Sequence, residues 1–232
     1  MLKILMAASE GTPFIKTGGL ADVVGSLSKA LSEKGIDVRV IMPLYGDIRC
    51  ELKQKLKYRG SIYVYIGMKR VYCGIFECVA GGITYYFMDN EHYFKRSGLY
   101  GFWDDGERFS FFDRASLEVL PAVGFCPDII HCHDWQSGMI PALLEAQYRD
   151  RDFYRKIRTL FTIHNLKYQG VFPRSVLNDL LGLGDEYFTS DKLEFYGDTS
   201  FLKGGLVYSN LLSTVSPTYA AEIQDPYLGE RM

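Results

Sequence analysis

The segment from Leu2 to Met42 restricts the fold more than any other. Leu2–Ala8 is a short apolar run that reads as a buried strand. Ser9–Gly19 follows, a loop rich in Gly, Ser, Thr and Pro. Leu20, Val23, Val24, Leu27, Ala30 and Leu31 then recur at helical spacing, and Gly35 supplies a C′ stop. Asp37–Met42 is a second apolar strand, ended by Pro43. Strand, helix and strand in so short a stretch make a βαβ unit, which requires parallel strands and a right-handed crossover. A chain that opens this way is committed to a layered α/β fold with a mostly parallel sheet.

The alternation returns after a β-rich middle. Tyr58–Met88 holds β-formers broken by Gly60, Gly67, Gly74 and Gly81-Gly82, and reads as an antiparallel meander or hairpins. Glu107–Leu120 is helical, Asp128–Cys132 a strand, Met139–Tyr148 helical, Thr159–Ile163 a strand and Val176–Leu181 a short helix. A helix over Ser200–Ser209 leads into strand Leu211–Val215 and a last helix entered through Pro217. No repeat, low-complexity tract or clear linker interrupts the chain. The expectation is a single domain over residues 1–232 with a β-rich insertion at roughly 50–96.

Composition narrows the partners. Lys and Arg number 26 and Asp and Glu 28, so the formal net charge is −2, without the basic excess of a general nucleic-acid binder. Hydrophobic residues at 47% and charged residues at 23% fit a folded globular protein rather than a disordered one. No apolar run approaches the roughly 20 residues that span a bilayer, so no membrane partner is expected. Met1–Ser9 faintly resembles a signal peptide, but its apolar run is shorter than the roughly 7–15 residues of an h-region. A buried first strand is the better reading, and a cytoplasmic location is expected. The 5 Cys include no Cys-x-x-Cys pair, which suits a reducing compartment and argues against a disulfide framework or zinc ribbon.

In open parallel sheets, ligands sit beyond the carboxyl ends of the strands. Lys16-Thr17-Gly18-Gly19 lies beyond the first strand, His131-Cys132-His133-Asp134-Trp135 at the Asp128 strand, His164-Asn165 beyond the Thr159 strand and Ser216-Pro217-Thr218 beyond the last. Three of the 4 His fall at two of these ends. Lys16–Gly19 suits an anion: glycines admit close approach, the helix start offers free N–H groups and a favourable dipole, and Lys16 adds a full charge. The bland alternative is a Gly-rich turn with a solvated lysine.

His131, His133 and Asp134 admit two functional readings. Residues 131 and 133 share a strand face and could hold a metal, as in a metal-dependent hydrolase. Alternatively one His and Asp134 bind sugar hydroxyls or handle charge without a metal. Asp134 could also cap the following helix, and His131 could be a core residue. His164-Asn165 could hydrogen-bond a polyol or form an ordinary turn. Lys203-Gly204-Gly205 echoes the first motif, with close packing at least as good an explanation as phosphate binding. Residues 85–112 are dense in aromatics, among them Tyr93, Tyr100, Phe102 and Trp103, interleaved with Asp104, Asp105, Glu107 and Arg108. Most should be core, and a few could form a sugar-stacking wall.

Taken together these segments resemble a known family. Lys16–Val23 (KTGGLADV) is similar to the Lys-x-Gly-Gly-Leu signature of bacterial glycogen synthases and plant starch synthases, glycosyltransferase family 5. Val40–Tyr45 (VIMPLY), Asp105–Phe109 (DGERF), His131–Trp135 (HCHDW), Thr162–Gly170 (TIHNLKYQG), Phe201–Gly205 (FLKGG) and Thr214–Ile223 (TVSPTYAAEI) also resemble family segments, in the family's order. The resemblance covers essentially the whole chain. It implies a Rossmann-like domain with helices on both faces of the sheet, the N-terminal half of a GT-B fold, with the C-terminal nucleotide-binding domain absent.

The implied activity is retaining transfer of glucose from ADP-glucose to the non-reducing end of an α-1,4-glucan, without metal or cofactor. The implied partners are donor, glucan acceptor and the missing domain, and this half alone is not expected to be active. A non-catalytic carbohydrate-binding or regulatory module is the alternative. By the same resemblance Lys16, Thr17, Gly18 and Gly19 contact the diphosphate–glucose region. Asp134 and His164 are catalytic, Asn165 supports His164, and His133 and Tyr93 lie at the substrate.

Overall fold

The computed structural model describes residues 1–232. Its strands are β1 (Lys3–Ala7), β2 (Asp37–Pro43), β3 (Lys57–Ile66), β4 (Lys69–Ala80), β5 (Ile83–Asp89), β6 (Ile129–His133), β7 (Arg158–Ile163), β8 (Val171–Phe172), β9 (Glu194–Phe195), β10 (Asp198–Ser200) and β11 (Leu211–Thr214). Its helices are α1 (Gly19–Glu33), α2 (Cys50–Lys53), α3 (Glu91–Phe94), α4 (Asp105–Ala122), α5 (Met139–Leu143), α6 (Ser175–Asp179), α7 (Phe201–Tyr208) and α8 (Pro217–Glu222). A π turn continues α5 over Leu144–Tyr148. All five Cys are free, and no helix is long and apolar enough to cross a membrane.

One eight-stranded sheet organises the chain, in the order β11-β7-β6-β1-β2-β5-β4-β3. From β11 to β5 every neighbouring pair is parallel. The central strands are apolar nearly throughout, and Leu5, Met6, Ala7, Val40, Ile41 and Met42 are fully buried, as strands covered on both faces must be. α4 packs on α5 and α5 on α7, while α1 packs separately on β2 and β5, as right-handed crossovers on the two sides of β1 require. The chain runs outward from β1 through β2 to β5, then returns to β6 on the opposite side of β1. The direction therefore reverses between β1 and β6, and the crevice beyond their carboxyl ends is the expected ligand site.

The β-rich segment is continuous with this sheet. β3 and β4 form an antiparallel hairpin, and β5 pairs antiparallel with β4 on one side and parallel with β2 on the other. Thus β5 closes the meander and also serves as the third strand of the doubly wound core. β5 is buried along most of its length, and a short apolar run does not show which way its neighbours run. The small sheet β8-β10-β9 was not anticipated, because its strands are too short to show a period.

The second Lys-Gly-Gly motif is a packing device. An added Cβ on Gly205 would meet the Phe161 ring at 2.3 Å, and one on Gly204 would meet the Gly138 carbonyl at 2.7 Å. Lys203 donates to the Ser190 carbonyl at 2.5 Å and the Glu194 carbonyl at 2.7 Å. These contacts bring α7 against β7 and the β6–α5 turn. Gly205→Ala is expected to cost about 1–3 kcal/mol through overpacking. Urea denaturation checks this, and an unchanged midpoint would contradict it.

Candidate functional site

The helix that opens on Gly19 starts bare. Gly18 is extended at the N-cap and gives no side-chain hydrogen bond to the first turn. Gly18, Gly19 and Leu20 instead line a cavity of about 1150 Å³. A Cβ on Gly19 would meet nothing within 4 Å, so its backbone faces open space. Unpaired N–H groups and the dipole of a full-length helix make this wall attractive to an anion. Thr17 is anchored from behind: the Glu10 carboxylate accepts from its backbone N–H and, at 3.0 Å, from its hydroxyl.

Lys16 sits just outside that wall. Its ammonium is half exposed, pairs with Asp22 of the first helical turn at 2.5 Å, and faces a smaller cavity of about 500 Å³ that shares Thr17. A surface pair of this kind is held weakly, so the lysine is free to exchange Asp22 for an incoming anion.

Asp134 forms the opposite wall. It follows β6 at φ 56°, ψ −179°, a conformation unfavourable for a residue with a Cβ and kept only where the surroundings impose it. They do so through both its backbone and its side chain. Its N–H donates to the Thr162 carbonyl at 3.1 Å. Its Oδ1 accepts from the backbone N–H of His164 at 2.7 Å and of Asn165 at 3.4 Å. The side chain does not cap the following turn, so the capping expectation is not met. It ties the end of β6 to the end of β7 instead. Burial pushes its carboxyl up to about 7, the two amides pull it down, and nearby Glu10 adds a smaller upward push.

The three imidazoles expected at these strand ends do meet. The His131 and His133 rings stack at 4.1 Å. His131 Nε2 bonds the Thr162 hydroxyl at 2.6 Å, and His133 Nδ1 bonds His164 Nε2 at 2.9 Å. Burial holds His131 and His164 down at about 4, and burial together with its two neighbours holds His133 well below its ordinary value. The metal-hydrolase alternative finds no support in this geometry. One nitrogen of each ring (His131 Nε2, His133 Nδ1 and His164 Nε2) bonds a neighbour, Asp134 Oδ1 serves two backbone amides, and no group of His, Cys, Asp and Glu is arranged to hold a metal.

Neutral buried imidazoles have a consequence for stability. Their folded pKa values lie below that of a free imidazole, so their contribution is present above about pH 6.5 and lost as pH falls toward 4. His131 and His164 are each expected to lose about 2 kcal/mol between pH 7 and 5, with Asp134 offsetting part of this. Chemical denaturation at the two pH values checks it, and equal stability would contradict it.

Of the expected site residues, Thr17, Gly18, Gly19, Asp134, His164 and Asn165 line one cavity. Three do not reach it. Lys16 faces the smaller cavity. His133 is fully buried behind His164. Tyr93 is also buried, its hydroxyl donating to Glu107 at 2.5 Å and its ring packed on Phe111, because it belongs to the helix face turned toward the core. Tyr100 reaches the cavity instead, with its hydroxyl 2.7 Å from the Ser9 hydroxyl.

Arg108, fully buried, holds the Tyr100 loop in place: it donates to the Tyr93 carbonyl at 2.7 Å and the Leu99 carbonyl at 3.1 Å, and pairs with Asp105. Trp135 and Phe172, with ring centroids 5.6 Å apart, supply an apolar wall. Gly170 makes that wall possible, since its φ is 56° and an added Cβ would strike the Trp135 ring at 2.4 Å. Glu10 is the residue that sequence reasoning missed. Its only signal was its place directly after a central parallel strand.

Comparison with known proteins bears on the family and the fold. The family model for the starch synthase catalytic domain matches residues 3–232. A glycogen synthase of Desulforamulus reducens is 58% identical over 231 residues, covering 100% of this chain and 48% of the relative. A glycogen synthase of Geobacillus stearothermophilus is 57% identical over 231 residues, with the same coverage. Among solved structures, the catalytic domain of starch synthase IV from Arabidopsis thaliana bound to ADP and acarbose superposes with a TM-score of 0.92 at 34% identity. That match covers 99% of this chain and 48% of the other. Sucrose-phosphate synthase from Thermosynechococcus elongatus, at a TM-score of 0.51 and 15% identity, shares the fold. The chain spans about half the length of the curated relatives it matches.

Proposed function

Because the chain belongs to the starch synthase catalytic domain family, we propose that it is the glucan-side half of a retaining glucosyltransferase. The whole enzyme moves glucose from ADP-glucose to the non-reducing end of an α-1,4-glucan, and its second, nucleotide-binding half lies outside these residues. The observation that carries this reading is the convergence of the bare α1 start, Asp134 and His164 on one cavity at the sheet's switch point.

Each wall has a task in such a transfer. A departing nucleoside diphosphate gains negative charge, which the α1 N–H groups and Lys16 are placed to stabilise. The glucosyl carbon gains positive, oxocarbenium-like charge. Asp134 and the neutral His164 face that centre, one as a carboxylate and one without adding a positive charge. Trp135, Phe172 and Tyr100 give the sugar apolar and edge contacts. Closing a second domain over the cavity excludes water, which would otherwise hydrolyse the donor.

The test joins this chain to its second half and follows radiolabelled glucose from ADP-glucose into glycogen. Incorporation, with weaker use of UDP-glucose, is the expected result. Sugar binding without incorporation would favour a non-catalytic carbohydrate-binding module, and neither would sink the reading.

A further inference from the structure

We propose that His133 is a positioning residue that fixes the tautomer of His164, so that His164 presents a neutral Nδ1–H donor to a sugar oxygen in the cavity. The proposal rests on the glucosyltransferase reading for the ligand and on this chain's own hydrogen bonds for the tautomer.

His133 Nδ1 and His164 Nε2 are 2.9 Å apart. In neutral imidazoles one of these two nitrogens carries the proton and the other accepts it. The remaining nitrogen of His133, Nε2, is buried and has no partner. If His164 donated, that nitrogen would be a buried N–H with nothing to accept it. If His133 donates, it is only an unfilled lone pair. Orphaned buried N–H groups are the rarer defect in folded proteins, so the proton belongs on His133 Nδ1. His164 Nε2 is then the acceptor, and the mobile proton of His164 must sit on Nδ1. That nitrogen has no protein partner and is not among the buried unpartnered atoms, while His164 itself lines the cavity.

The donor is held by a stacked neighbour and through its own backbone. The His131 ring stacks on His133 at 4.1 Å with 30° between planes. His131 is pinned by the Thr162 hydroxyl at 2.6 Å, which is in turn 2.7 Å from the Ser213 hydroxyl. The backbone N–H of His133 donates to the Ser137 hydroxyl at 2.6 Å. Without such a partner a histidine favours the Nε2–H tautomer, and the bond made by one ring nitrogen decides the state of the other. A cavity lined by Glu10, Asp105 and Asp134 is rich in acceptors. A fixed N–H there selects a ligand oxygen as an imidazolium could, but leaves the developing positive charge on the sugar unopposed.

The test is the imidazole ¹⁵N spectrum of the labelled chain, in which protonated and bare ring nitrogens resonate far apart. The expected wild-type result is Nδ1–H on both His133 and His164. In His133→Leu most His164 rings should change to Nε2–H. In His133→Asn, whose amide N–H can replace the donor, Nδ1–H should persist. Backbone amide spectra verify that each variant is folded. With the second half joined, His133→Leu should lower kcat/KM by about 10-fold or more, the scale of one lost hydrogen bond, and His133→Asn should restore most of it.

Wild-type His164 protonated on Nε2 overturns the assignment even if both variants fail to fold. Nδ1–H retained in folded His133→Leu overturns the role of His133. Full activity with the tautomer switched overturns its functional meaning. The spectrum needs no sugar, so failure of the glucosyltransferase reading would leave the tautomer result separately readable.

Discussion

Asp134→Asn, in a protein carrying both halves, is expected to lower glucosyl transfer by about 10²–10³-fold while making the fold more stable. Asparagine keeps the oxygen that accepts from the His164 and Asn165 amides and is no more strained than aspartate at the same backbone angles. It loses only the charge. That charge is costly in the free site, because burial lifts the carboxyl to about 7, well above a carboxylate in an unfolded chain.

The sign follows from the raised value. Stability associated with the protonated carboxyl is fully present below about pH 4 and is lost as pH rises to about 7. The asparagine variant should therefore match wild type at pH 4 and exceed it at pH 8 by of order 2–4 kcal/mol. Thermal melts at both values, together with the transfer assay, check the pair of effects. A variant that is inactive and equally destabilised at both pH values would mean that Asp134 serves the fold and not the reaction.

Lys16→Ala should separate from this pattern. Its partner Asp22 is as exposed as the lysine itself, and a surface pair contributes about 0–1 kcal/mol. Stability should barely move. Transfer should fall by about 10²–10³-fold, the scale of one removed charge stabiliser at a leaving group. Steady-state kinetics on the two-half protein checks it, and near-normal kcat would remove Lys16 from the mechanism. Lys16→Arg is the useful companion, since a charge without the same reach should restore part of the rate.

Much of this site was legible because parallel sheets collect their chemistry at one edge. The apolar runs around Leu5, Ile130 and Phe161 marked the strands, and the polar residues directly after them marked the edge. Asp134 and His164 could be found that way, and so could the bare start of α1. Side-chain direction could not. Tyr93 and Tyr100 both lie in an aromatic-rich stretch, and only the folded chain shows that Tyr93 is buried against Phe111 while Tyr100 lines the cavity. His133 and His164 sit in similar apolar-to-polar settings, yet His133 is still part of β6 and is buried, whereas His164 lies just past the end of β7 and lines the cavity. Glu10 carried no motif, because a single carboxylate in a Gly-rich loop is usually solvated. Its burial against Thr17 appears only when the loop closes over it. The dual pairing of β5 was hidden for a similar reason, since a strand's burial pattern does not record which way its neighbour runs.

The most direct measurement is a crystal structure of the two-half protein with ADP and a malto-oligosaccharide. The expected result is a glucosyl unit seated between Gly18-Gly19 and Asp134, with His164 Nδ1 on one of its oxygens and Lys16 turned from Asp22 toward the diphosphate. Sugar and nucleotide ordered elsewhere, with this cavity holding only water, would contradict the account.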